Sequence, residues 1–223
     1  MKVSEALATR ISCRAFLPDP VPEAVVRRIL DHAKQAPSGG NLQPWIVRVL
    51  AGEALAALKA EVAAAMETHP MGRPTEYAIY PDPLVQPFHT RRKVCGEQLY
   101  ATIGVPREDK AGRLRQFRRN FEFFGAPVGL FLFLDRTMGP PQWSDAGMFL
   151  QSVMLAAREE GLHSCAQEAW AMWAEEVERH ARPPEGAMLF CGMGLGQMDE
   201  AHPINALRTE REPVEGFAEL IGF

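Results

Sequence analysis

Paired cysteines, long apolar runs and surplus charge are all missing from this chain. Its four cysteines, at 13, 95, 165 and 191, form no C-x-x-C pair and show no metal-ligand spacing. That fits reduced thiols in a cytoplasm better than a disulfide framework or a zinc site. Nor do the six histidines pair with carboxylates or cysteines at ligand spacing, so no metal is expected. No apolar run approaches the roughly 20 residues needed to cross a bilayer. The opening Met-Lys-Val-Ser-Glu has no signal-peptide core, and the expectation is a cytoplasmic protein away from membranes. A net charge of −4, with lysine and arginine scattered, argues against nucleic acid as a partner. No G-x-S-x-G or other nucleophile motif occurs. What such a chain would suit is chemistry carried by a bound organic cofactor.

What is present begins with Ala36-Pro-Ser-Gly-Gly-Asn-Leu-Gln-Pro-Trp45. Pro37 stops the preceding helix, because its ring disfavours helical geometry in the residue before it. Ser38 to Asn41 form a turn of small residues whose amides can converge on an anion or on carbonyl oxygens. Taken alone, the stretch reads as a plain connection. Upstream, Ser4 caps a short helix through Ala8. If the exit Arg10 to Arg14 is extended, Arg10, Ser12 and Arg14 share one side, since side chains alternate along a strand. Two guanidiniums and a hydroxyl there make either an anion grip or a solvated basic edge.

The rest of the chain alternates helical and strand patterns. Pro22 opens a helix whose stripe is Val25, Val26, Ile29, Leu30 and Ala33. Trp45 to Leu50 reads as a strand, and 53–68 as a packing helix. Residues 69–90 are proline-rich and aperiodic, as in a lid or binding segment. Helices are expected from Arg91 to about Tyr100 and from Arg107 to about Phe123. Val128 to Leu134 reads as a central strand. Ser144 or Asp145 caps the next helix, which is apolar on nearly every face through Ala157 and therefore buried in the core or in a subunit interface. His163 to Glu168 reads as extended, Trp170 to Ala181 as a helix and Ala187 to Leu195 as a strand. Gly192, Gly194 and Gly196 do not make a dinucleotide fingerprint, because no helix or acidic partner follows them. They let the backbone pass close to a cofactor or a neighbouring strand.

Arg10-Ile-Ser-Cys-Arg14-Ala-Phe16, the Pro18-Asp-Pro20-Val-Pro22 run and the 36–45 turn together resemble the amino-terminal signature of the FMN-dependent nitroreductase family. The likeness continues through Phe124-Gly-Ala-Pro127, Trp143-Ser-Asp-Ala-Gly147 and Gly192-Met-Gly-Leu-Gly196. It ends with Asn205, Arg208 and Arg211-Glu-Pro213. This resemblance implies one α+β domain over 1–223, a mostly antiparallel sheet wrapped by helices, in an intertwined homodimer with FMN at the interface. It implies an inserted lid around 69–124, of the nitrobenzoate-reductase type. The FMN contacts carried over are Arg10, Ser12, Arg14, Pro37, Ser38, Gly39, Asn41, Gln43, Gln167, Glu168, Gly194, and Arg208 or Arg211. The expected role of Arg14 is to stabilise the reduced flavin. Substrate candidates in the lid are Phe88, Tyr100, Asn120 and Phe124. The implied reaction is ping-pong: NADH or NADPH reduces FMN, then a nitroaromatic or quinone acceptor reoxidises it, with no catalytic side chain of its own. Rival readings keep the fold but change the reaction to enone reduction or reductive dehalogenation, or leave a flavin-binding protein with little turnover. The apolar tail from Phe217 to Phe223 is expected across a partner subunit.

Overall fold

The fold was analysed on a computed structural model describing residues 1–223. Four strands form its centre: β1 (Ile46–Ala51), β2 (Val128–Asp135), β3 (His163–Gln167) and β4 (Ala187–Gly196). They make one antiparallel sheet in the order β1-β2-β4-β3. β2 is buried at seven of its eight positions, because both faces of the sheet are covered. Side chains alternate along it. Leu130, Leu132 and Leu134 join one core with α2 (Glu23–Ala33) and α6 (Pro140–Glu159). Phe131 and Phe133 join a second core with α3 (Gly52–Thr68), α7 (Ala174–Ala181) and the 3-10 segment Glu168–Trp173. Gly129 is where the backbone must be bare, since a Cβ there would lie 2.6 Å from the Phe123 ring.

The stripe of α2 is as expected, with Val26, Ile29 and Ala33 buried. Several boundaries differ from the sequence reading. The first helix, α1, spans Val3–Thr9, and Lys2 rather than Ser4 holds the cap position. α6 starts at Pro140, not near Ser144. Pro140 and Pro141 have φ pre-set for a first helical turn, and Gly139 N donates to Gln142 Oε1 at 3.2 Å. Ser144 donates back to Pro141 O, which leaves Asp145 free of any capping task. One face of α6 packs in the core, while Ser144, Gly147 and Met148 lie exposed on the other.

Residues 69–87 contain no helix or strand, and α4 (Phe88–Thr102) follows them directly. α5 (Lys110–Arg118) is shorter than expected, because a 3-10 segment, Arg119–Gly125, replaces its second half. There Phe123 and Phe124 take φ of 50° and 55°. At Phe123 this sets the ring 4.5 Å from Trp170, stacked on it, and Phe124 O accepts from Phe16 N at 3.2 Å. The helix expected from Trp170 is likewise 3-10 up to Trp173. In that geometry residues i and i+3 align, and both tryptophans meet Phe121 edge-on at 5.6 and 5.8 Å.

Candidate functional site

α1 ends at Thr9, and Arg10 turns the chain into extended geometry. Ser12 bridges Ser164 of β3 in parallel, and Cys13 N donates to Ser164 O at 3.0 Å. Arg14 N donates to Asn205 Oδ1 at 2.8 Å, while the Asn205 amide donates to Ala15 O and Asp199 O. Asn205 is buried, so the 203–206 turn and the 10–15 segment are locked together through one side chain. With the backbone fixed, Arg10, Ser12 and Arg14 line a cleft of about 470 Å³, together with Leu207, Arg208, Thr209 and Arg211.

The electrostatics of that cleft are one-sided. Four guanidiniums line it, no carboxylate does, and none of the four forms an ion pair anywhere in the chain. Arg208 donates to Asn205 O and Leu207 O, and Arg211 to Thr209. A guanidinium has five donors, so most remain for a guest. Burial, followed by the charges of Arg158 and Arg208, pushes the nearby His163 imidazole down to about 4. Burial raises Cys13 to about 12 and Cys165 to about 11, and both are un-ionised thiols at neutral pH rather than nucleophiles. No group of three His, Cys, Asp or Glu is placed to hold a metal ion. Donor-rich, acceptor-poor and roomy, the cleft suits a phosphate-bearing ligand.

The 37–43 turn does not line this cleft. It is a 3-10 segment, Gly39–Asn41, with Gly40, Asn41 and Gln43 at φ of 59°, 58° and 49°. Left-handed geometry costs a non-glycine residue about 1–2 kcal/mol, so Asn41 and Gln43 need support. Gln43 N donates to Ser38 Oγ at 3.0 Å and Gln43 Nε2 to Asn41 O. Gly39 N donates to Asp145 Oδ2 of α6 at 3.3 Å. On β3, Gln167 Nε2 donates to Asn120 O and Oδ1 at 2.8 and 3.2 Å, and its buried Oε1 has no partner.

The family model described as "Nitroreductase family" matches residues 7–197. The chain belongs to the nitroreductase family. It is 38% identical to the 4-nitrobenzoate reductase of Pseudomonas putida over 217 residues, covering 97% of this chain and 94% of that one. It is 36% identical to the nitrobenzene nitroreductase of Ectopseudomonas oleovorans, covering 98% and 96%. Among solved structures it is similar to the FMN and NADPH-dependent nitroreductase NfnB from sphigopyxis sp. strain HMH, with a TM-score of 0.96, 47% identity and 100% of both chains covered. It also resembles the FMN-dependent NfnB from Mycobacterium smegmatis, solved in complex with NADPH, with a TM-score of 0.90, 29% identity and coverage of 98% and 97%.

In this member of the family the residues singled out from sequence fall into four groups. Arg10, Ser12, Arg14, Arg208 and Arg211 share the cleft, and both Arg208 and Arg211 reach it. Pro37, Ser38, Gly39, Asn41 and Gln43 form the separate turn held by α6. Gln167 meets Asn120, while Glu168 is exposed just beyond them. The remainder are scattered. Gly194 sits inside β4, where a Cβ would come within 3.2 Å of Phe123 O and Ala126 Cβ. Its bareness serves that close packing. Phe124 is 2% exposed, its side chain packed in the aromatic core. Phe88 is exposed at the start of α4, and Tyr100 lies under the Arg113 guanidinium at 4.4 Å. Sequence reasoning missed Gln151, Cys95 and Thr209 as cleft residues. No local signal marks Gln151 and Cys95, which arrive from distant segments, while Thr209 sits beside Arg208.

Proposed function

We propose that this protein is an FMN-dependent oxidoreductase that uses NADH or NADPH to reduce nitroaromatic or quinone-type acceptors in a ping-pong cycle. The observation that carries this reading is the cleft of four arginines without a carboxylate, in a chain whose family and full-length relatives are nitroreductases. FMN fits the donors present. Its phosphate needs several N–H groups and no competing acceptor, and Arg10, Arg14, Arg208, Arg211 and the Ser12 hydroxyl supply them. When bound, the flavin would take hydride from the nicotinamide and pass electrons to the acceptor; the protein binds, orients and shields.

The roles of the side chains follow from that division. Arg14, held at its backbone by Asn205, supplies fixed positive charge that favours the anionic, reduced form of the cofactor. The Gln167–Asn120 pair ties β3 to the 119–125 segment and so fixes one wall beside the lid. The turn at 37–43 contributes its amides and small side chains from a second protomer, since in its own protomer it does not border the cleft. A homodimer is further supported by the exposed apolar tail, with Phe217 and Leu220 both 71% exposed, and by α4, which buries none of its residues within one chain. Nitroaromatic acceptors are favoured by the names of the 4-nitrobenzoate and nitrobenzene reductases it resembles. No helix is long and apolar enough to cross a membrane, and the thiols accord with a cytoplasmic setting.

The test is the visible spectrum of freshly purified protein, followed by anaerobic addition of NADH and NADPH in turn. Flavin bands that bleach, and that return with a nitroaromatic, support the reading. A colourless protein that FMN cannot reconstitute overturns it.

A further inference from the structure

Asp145 has the chemistry of a residue kept for a purpose. It is 4% exposed in the second turn of α6, yet it pairs with no lysine, arginine or histidine. A carboxylate buried without a cation is expensive unless hydrogen-bonded. Its one hydrogen-bond partner is the backbone N–H of Gly39, 106 residues away in sequence. Four residues further along α6, on the same face, Phe149 stacks on Trp45 with ring centroids 4.9 Å apart and planes 17° apart. α6 therefore grips the 37–45 stretch at both ends, polar at Gly39 and aromatic at Trp45. Between the grips lie Gly40, Asn41 and Gln43, all at positive φ. Such a run persists only where its surroundings over-determine it.

We propose that Asp145 is a positioning residue that sets the 37–43 turn for the cofactor by accepting the Gly39 amide hydrogen. The inference rests on the turn being part of the FMN site, as argued above. By holding Gly39 N–H, Asp145 removes that donor from the competition for the guest and fixes which way the following amides face. Flavin binding then does not have to order the turn, and the ordering cost is not subtracted from affinity.

The test has two readouts, one independent of flavin. In protein stripped of FMN, hydrogen exchange of the Gly39 amide reports the clamp directly. The FMN dissociation constant, from quenching of flavin fluorescence, reports its consequence. Asp145→Ala is expected to speed Gly39 exchange by about 10- to 100-fold and to weaken FMN by a similar factor, the range for losing a hydrogen bond to a charged group. Asp145→Asn, which keeps a side-chain oxygen, is expected to restore both to within about tenfold of the parent. Should Asp145→Ala fold poorly, Gly39→Pro removes the donor instead. Ser38 is already extended, with φ −147° and ψ 147°, as a residue before proline requires; nothing lies within 4 Å of a Cβ at Gly39, and the proline Cδ, taking the place of the amide hydrogen, displaces the Asp145 carboxylate. Gly39→Pro should weaken FMN as Asp145→Ala does, and the double variant should lose no more than either single one. Unchanged Gly39 exchange in Asp145→Ala overturns the clamp. Faster exchange with unchanged FMN affinity keeps the clamp but overturns the placement of the turn in the flavin site.

Discussion

Arginine does opposite work in two parts of this molecule. In the cleft between residues 10–14 and 203–211, four arginines line one site whose 10–14 side is pinned by β3 and Asn205, and none meets a carboxylate. Across 69–125 five of the eight arginines, at 73, 91, 113, 115 and 119, meet a carboxylate. Arg73 binds Glu176 at 2.9 Å, Arg113 binds Glu97 at 2.7 Å, Arg119 faces Glu122 at 3.8 Å, and Glu76 in the same stretch takes Arg136. The lid has no strand, and its residues 69–110 bury no side chain, so its charges are spent on attachment. The cleft is held by other means, so its charges stay available. In the cleft the arginines are left for a guest; in the lid most of them hold the segment in place.

That contrast can be broken from either side. The largest effect is expected at Arg73, which also receives support for its backbone, since Arg73 N donates to Met172 O at 3.0 Å. Arg73→Ala strips the 1%-exposed Glu176 of its best partner, leaving Arg179 at 3.3 Å. Breaking a buried pair from one side costs about 3–5 kcal/mol. Because Arg179 remains and Arg73 is partly solvated, about 3 kcal/mol is expected, read as a lowered urea midpoint with FMN affinity unchanged. A loss confined to flavin affinity would reverse the division drawn here.

Arg14→Ala should do the converse. Loss of charge-assisted bonds of about 2 kcal/mol predicts FMN retention weakened by roughly 10- to 100-fold, with the urea midpoint nearly unmoved. Unchanged flavin content and reduction rate would remove Arg14 from the site.

A pH titration senses the same cleft without any ligand. His163, depressed to about 4 by burial and by Arg158 and Arg208, binds a proton more readily in the unfolded chain, near 6.5. Stability is therefore fully present above about pH 6.5 and declines as pH falls toward 4. After discounting for partial solvation the loss is on the order of 1–2 kcal/mol. His163→Gln should flatten that limb of a pH series of urea melts; an unaltered limb would show that other groups govern it. The smallest effect belongs to Arg115, 73% exposed and 3.8 Å from Asp109. Arg115→Ala should shift stability by less than about 0.5 kcal/mol, and a larger shift would mean the lid's outer charges do more than exposed pairs usually do.

How much of this was readable beforehand depended on range. The alternation of Arg10, Ser12 and Arg14, the apolar run of β2 and the stripe of α2 are written within a few residues, and the structure agrees with each. The prolines at 140 and 141 carried the true start of α6, but a hydroxyl and a carboxylate at 144 and 145 offered a more familiar cap. Positive φ at Phe123 had no local sign, because the ring it stacks on, Trp170, lies 47 positions on. Asn205 to Arg14 and Asp145 to Gly39 are single hydrogen bonds across 191 and 106 residues, a range at which residue type says nothing of partner. Chemistry-bearing residues were visible as types; what holds them was not.

The leucine–phenylalanine alternation of β2 has a consequence for how the chain tolerates change. One strand is the party wall between two separately packed interiors, Leu130, Leu132 and Leu134 on one side and Phe131 and Phe133 on the other. Damage in one room should not be felt in the other. Ile29→Ala and Leu58→Ala, on opposite sides, should therefore weaken the fold by amounts that simply add. A one-residue slip of β2, by contrast, would send every leucine and phenylalanine into the wrong room at once. The side that carries the lid is thus open to remodelling on its own, while the strand between the two interiors is held to its register by both.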